Sequence, residues 1–216
     1  MTNPHWPFFG LRVRTPRLEL RYPDDRDATD LATLAGQGIH APDFMPFLAP
    51  WTDQPSPDLE RSALQYYWRA RADLGPHRWT LPFAVVDDGE IVGLQAMEAT
   101  DFAVTRTVKT GSWVGRAHQG RGIGKEMRAA VLHLAFEGMG AREAMSGAVE
   151  DNPASLAVSR SLGYEDNGFD THVRRGQPVR EVRLVLSRVR WRERRRDDVV
   201  IDGLEACLPL LGLAPA

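Results

Sequence analysis

Apolar and polar positions change period several times along the chain, and each change marks an element. Leu11 to Tyr22 alternates at period two around Pro16, which predicts a half-buried strand bent at the proline. Asp24 to Gln37 switches to helical spacing, with Leu31, Leu34 and Ala35 on one side, acidic residues at the start and Gly36 and Gly38 near the stop. His40 to Pro57 carries too many prolines for a long element and reads as an ordered loop rich in aromatics. Asp58 to Leu74 is again helical, ended by Gly75-Pro76. Trp79 to Val86 and Ile91 to Met97 are strands whose Asp-Gly connection predicts an antiparallel hairpin.

Thr107 to Gly115 reads as a strand that passes through a glycine cluster into a helix from Gly122 to Glu137, whose apolar face is Ile123, Met127, Val131, Leu134 and Ala135. Arg128 falls mostly outside that face. A strand from Glu143 to Val149 follows, then a helix from Pro153 to Leu162, then strands from Tyr164 to Val173 and Val179 to Val189 that turn at Gly176. Beyond Arg190 the pattern predicts a strand-like stretch at Val199 to Ile201 and a short helix. The sum is an α/β (α+β) domain with a mixed, largely antiparallel sheet and interleaved helices, without repeats.

Composition narrows what such a domain does. The 216 residues are 43% hydrophobic and 26% charged, which suits one globular domain and excludes a disordered or disulfide-stapled chain. A net charge of -2 speaks against a general nucleic-acid binder, and the Arg188 to Arg196 run is balanced by Glu193, Asp197 and Asp198. Cys207 stands alone, so no internal disulfide or multi-cysteine metal site is available, and no metal site is suggested. With no secretory leader and no apolar run long enough to span a bilayer, the expectation is a cytoplasmic protein without a membrane partner. The apolar tail at Leu204, Leu208, Leu210, Leu211 and Leu213 has its own core or a partner chain to cover, which leaves a homo-oligomer open.

The chemistry concentrates in Trp113 to Glu126, where a strand enters a helix through Gly120, Gly122 and Gly124. Such a turn presents unpaired amides at the positive end of a helix and lets a phosphate approach the backbone. A P-loop fails, because Gln119 and Glu126 stand where it needs glycine and Ser or Thr. A dinucleotide GxGxxG fails too, at Lys125 or Met127 depending on its start.

The pattern that does fit is Q-x-x-G-x-G at Gln119, Gly122 and Gly124, which resembles the pyrophosphate-binding motif of the GNAT acyltransferase superfamily. Asn152 and Ser155, followed by Leu162-Gly163-Tyr164, are similar to the N-x-x-S and L-G-[FY] of its RimJ/RimL-like branch. The resemblance covers about Leu11 to Val189, which makes residues 1–189 an acyltransferase domain and 190–216 a C-terminal extension packing on it or on a partner. It implies a sheet whose central strands splay, with acetyl-CoA or succinyl-CoA as the acyl donor. The pyrophosphate would lie on the amides of Gly120, Arg121, Gly122, Ile123, Gly124 and Lys125, and the pantetheine arm against Trp113 and Val114. The Val114 N–H would polarise the thioester carbonyl, Ser155 would serve the thiol, and Asn152 would brace the site. Some relatives carry a tyrosine acid seven positions after the motif asparagine, and here that position is Ser159.

Acyl transfer to an amine also requires a base. Glu150 and Asp151 flank Asn152 and are candidates, as are Glu98 and Asp101, although Asp151 or Asn152 also suits a helix cap before Pro153. The loop from His40 to Trp51 is placed to wall the acceptor, which would be a primary amine of a protein N-terminus, a lysine or a small molecule. The alternative function is a noncatalytic acyl-CoA-binding regulatory domain that keeps the phosphate turn.

Overall fold

Pro16 ends a strand where the alternation alone suggested a bend. The computed structural model describes residues 3–214 and divides Leu11 to Tyr22 into β1 (Arg12–Arg14) and β2 (Leu18–Arg21), paired antiparallel. Proline has no N–H for a ladder, and Thr15 closes the reversal, its N–H donating to Leu18 O at 2.9 Å while Leu18 N–H donates to Thr15 Oγ1 at 2.9 Å.

The remaining elements follow the predicted order. They are α1 (Asp25–Gly36), α2 (Asp58–Ala72), β3 (Arg78–Asp87), β4 (Glu90–Thr100), α3 (Phe102–Thr105), β5 (Thr107–Val114), α4 (Ile123–His133), β6 (Glu143–Val149), α5 (Pro153–Ser161), β7 (Glu165–Arg174), β8 (Gln177–Ser187), α6 (Arg188–Arg192) and β9 (Val200–Asp202). The one-turn α3 and the short α6 were outside the sequence pattern, and α6 takes over where the last long strand was expected to continue to Val189. The helix expected to reach Glu137 widens at Leu134 into a π-helical turn, with Met139 N–H on Leu134 O at 2.9 Å.

The nine strands among the described residues form one sheet in the order β7-β8-β6-β5-β4-β3-β2-β1-β9. Each pairing is antiparallel except β5 with β6, which are joined by the crossover through α4. One face packs under α4 and α5, where Phe83, Val85, Met97, Val108, Met127, Val131, Leu184 and Leu186 are buried together. On the other face α1 and α2 cover β3, β4 and the end of β5, around Leu31, Tyr67, Ala84, Leu94 and Trp113.

The central feature is where β5 and β6 stop pairing. They run in register from Thr107 with Glu143 to Thr110 with Ser146 and then part, β5 staying with β4 to Val114 and β6 staying with β8 to Val149. A bulge on β4 lies beside this split, because Val85 pairs with Gly93 and Val86 with Ile91, which leaves Val92 unpaired. At the far edge β9 pairs with β1, and Cys207, Leu208 and Leu211 beyond it are buried in the α4-side core.

Candidate active site

The head of α4 is built as an anion site. Gly120 and Gly122 take φ of 74° and 79°, a left-handed conformation that favours glycine, and a Cβ at either would meet only open space. The amides from Gly120 to Lys125 donate to no protein acceptor among the described residues, and the first bond of the helix is Glu126 N–H to Gly122 O at 3.2 Å. The turn is braced from behind. Gln119 donates through Nε2 to Val114 O at 2.8 Å and to Ile39 O at 2.6 Å, so its side chain holds the loop while its neighbours' amides face outward. His118, just before Gln119, is buried, with Nε2 3.9 Å from Glu90. Arg121 reaches back to Asp87 at 3.0 Å, and Lys125 is exposed.

The split between β5 and β6 opens from this turn. Gly115 N–H donates to Val92 O at 2.9 Å, so by the alternation of an antiparallel ladder the Val114 N–H turns away from β4 and toward the gap. Trp113, one residue earlier, points to the opposite face and packs on Trp51, with ring centroids 6.3 Å apart. The aromatic loop from His40 is thereby tied to the strand beside the split, and His40 itself is held by Thr52 Oγ1 at 2.7 Å.

Beneath the split lies a guanidinium that sequence patterning had put off the apolar face of its helix. Arg128 of α4 is 3% exposed and donates to Ser112 Oγ of β5 at 2.8 Å, Ser146 Oγ of β6 at 3.1 Å and Gln95 Oε1 of β4 at 3.3 Å. No carboxylate among the described residues bonds it, and burial pulls its pKa below the ordinary arginine value, with Tyr164 opposing. The signal for it was available, since Arg128 precedes the buried Leu132 and Ala135 by one and two helical turns. Tyr164 closes the base of the cluster, its hydroxyl 3.2 Å from Thr110 Oγ1, and burial raises its pKa.

Asn152 caps α5, its Oδ1 accepting from Ser155 N–H at 3.1 Å, which leaves the Ser155 hydroxyl half-buried at the first turn. Ser159 is fully buried on the same helix, and its hydroxyl has no partner among the described residues. Glu150 lies just past β6, exposed, with its carboxylate 3.8 Å from Arg180. Asp151 is held by Arg174, whose Nη1 also donates to Met45 O and so pins the aromatic loop to the β7–β8 hairpin. Glu98 is exposed on β4, opposite Lys109, and Asp101 pairs with His77 at 3.0 Å. Cys207 is buried far along the tail, and desolvation pushes its thiol up to about 12, which disqualifies it as a nucleophile. Within the basic run past β8, Arg188 and Arg195 face Glu137 at the end of the α4 segment, and Arg196 faces Asp198.

Comparison with known proteins agrees with this geometry. A family model described as the acetyltransferase (GNAT) domain matches residues 17–165, and the chain belongs to that family. A GCN5-related N-acetyltransferase from Brucella melitensis superposes with a TM-score of 0.67 at 16% identity, covering 84% of this chain and 80% of that one. The spermidine/spermine N-acetyltransferase SpeG from Vibrio cholerae, in mutant forms, gives 0.62 at 14% identity over 82% and 98%. The microcin C7 self-immunity acetyltransferase MccE, solved with acetyl-CoA and AMP, gives 0.62 at 18% identity over 80% and 93%. At these identities the likeness is one of fold. No helix among the described residues is long and apolar enough to cross a membrane.

Proposed function

We propose that the protein transfers an acetyl group from acetyl-CoA to a primary amine by direct attack within a ternary complex, as a RimJ/RimL-like member of the family. The observation that carries this reading is the row of unengaged amides from Gly120 to Lys125 at the mouth of a split sheet. A diphosphate bound there would satisfy the orphan donors of α4 and gain from the helix dipole. The Val114 N–H is turned to meet charge developing on the thioester oxygen, and such a donor accelerates the step because its bond strengthens as the charge grows. Asn152 fixes the start of α5 and with it Ser155, the hydroxyl assigned to the departing sulfur. The aromatic loop walls the acceptor side. A lone, buried cysteine fits a reducing cytoplasm.

Arg128 favours a second donor. A buried guanidinium with only neutral partners beneath the split is suited to a carboxylate at the far end of the acyl chain, which supports succinyl-CoA. Thiol release from acetyl-CoA and succinyl-CoA over a panel of primary amines and peptides tests both. Turnover with either donor is the expected outcome, and Gly122→Val should weaken donor binding at least tenfold. Tight binding of both donors without turnover on any amine would replace the enzyme with a regulatory acyl-CoA-binding domain.

A further inference from the structure

The two faces of the split are unequal. On the α4 side it is sealed by buried residues, among them Ala144, Ala148, Leu184 and Leu186, so an acceptor has no route through that face. On the other side α1 and α2 reach no further than Trp113 of β5, the aromatic loop crosses from Trp51 to its anchor at Arg174, and a narrow strip of β5 and β6 beside the split stays uncovered. Gly111 of β5 is exposed with free space where a Cβ would be, and Met145 and Gly147 of β6 are only half-buried. An amine therefore meets the thioester across this glycine-floored strip.

One carboxylate stands over it. Glu181 of β8 is opposite Val149 in register, but its side chain leans back over Gly147, the first residue of β6 after the last pair with β5. A Cβ on Gly147 would collide with Glu181 Oε1, so glycine at this position is what lets the carboxylate lie against the strand. Glu181 Oε2 is 3.2 Å from His172 Nε2 on β7, while Oε1 accepts from no protein donor among the described residues. The remaining charged groups around it are Asp170 of β7 and Arg183 of β8, which bond each other at 3.2 Å, whereas β6 presents the uncharged Val149 opposite and Gly147 beneath. Glu150, by contrast, is exposed and faces Arg180.

We propose that Glu181 is the acceptor-ammonium site and general base of the reaction, with His172 as the positioning partner that passes the proton to solvent. The inference rests on the acyl-transfer reading above. The acceptor arrives as R–NH3+, and its ammonium pairs with Glu181 and gives up one proton to it. The freed amine attacks the thioester carbonyl carbon, a C–N bond forms, the C–S bond breaks, and the bonding pair leaves with sulfur. The second nitrogen proton goes to the thiolate, so the products are amide and free thiol. The proton on Glu181 moves to His172, whose side chain is 39% exposed, and from there to water.

The test uses the full chain with acetyl-CoA and the best amine of the panel. Glu181→Gln should lower kcat about a hundredfold, within the range for loss of a general base. It should flatten the acid limb of the kcat/KM profile and leave the KM for acetyl-CoA within about twofold, since nothing of the anion site is touched. Glu181→Asp should recover part of the rate, and His172→Gln should shift the acid limb with a smaller loss of kcat. Gly147→Ala gives an independent arm that also serves if Glu181→Gln does not fold. Its Cβ displaces the carboxylate and should lower kcat in the native background but add little to Glu181→Gln. A Glu181→Gln enzyme with native kcat and pH profile would overturn the assignment and leave the acyltransferase standing. Failure of the native chain to bind acetyl-CoA, measured by calorimetry, would overturn both.

Discussion

Arg128 and Ser146 meet across the floor of the split, guanidinium to hydroxyl at 3.1 Å, and Ser112 on the other strand completes the bridge at 2.8 Å. A charge buried with neutral partners alone is a poor source of stability, because desolvation is not returned by an opposing charge. Arg128→Met should therefore fold with stability within about 1 kcal/mol of the native chain in urea titration, as hydrophobic replacements of buried charges commonly do. Turnover should nevertheless fall at least tenfold. A large loss of stability with unchanged turnover would make Arg128 a strut for the sheet.

Gln119 ties the glycine turn to both β5 and the segment after α1 through a single amide group. Gln119→Glu places a carboxylate oxygen against two carbonyls and removes both donors. The expected loss is about 2 kcal/mol of stability, together with a raised KM for the acyl donor. Gln119→Ala, which adds no repulsion, should be milder by both measures.

His133, at the end of α4, packs edge-on against Trp191 at 6.0 Å, and burial lowers its pKa from 6.5, with Glu137 opposing. The native state holds this imidazole neutral more firmly than the unfolded chain does. Below about pH 6.5 the unfolded state binds the extra proton, so this contribution is present above that value and is lost as pH falls toward the lowered native pKa. The melting temperature should decline across that window, and His133→Gln should flatten the decline.

The Cys207 thiol, pushed up to about 12 by burial, holds a thiolate fraction of only about one in ten thousand at pH 8. Alkylation by iodoacetamide at that pH should be slow in the folded protein and rapid in denaturant. Prompt labelling of the native chain would show that the tail opens readily.

Much of the architecture was legible because period and punctuation agreed. The Asp-Gly hairpin appears as β3 and β4, with Asp88 and Gly89 at positive φ, and the glycine-rich junction opens a helix at Gly122. Patterning missed features set by distant contacts. The Thr15 reversal depends on Pro16 denying a ladder bond, and α6 begins where the Ser187 hydroxyl accepts from Arg190 N–H. At the site, the amides of Gly120 to Lys125 could be read from local spacing, since the turn and its helix are one segment. The burial of Arg128 could be read from its spacing to Leu132 and Ala135, but its place under the split, and that of Glu181 beside it, could not, because what gives them meaning is the parting of β5 and β6, a relationship between strands about thirty-five residues apart in sequence.

At the opposite margin of the molecule, three residues of β9 lie along β1 through Arg12 to Arg14, with Arg14 and Asp202 joined at 2.7 Å. That short strip is a guard. It takes the outward amides and carbonyls of β1 out of reach of another copy's strand, and its own brevity and acidic end make it a poor template for further growth. A chain cut before Val200 would present a bare ladder and the hollow left by Cys207, Leu208 and Leu211, and self-association along that margin would be its characteristic failure.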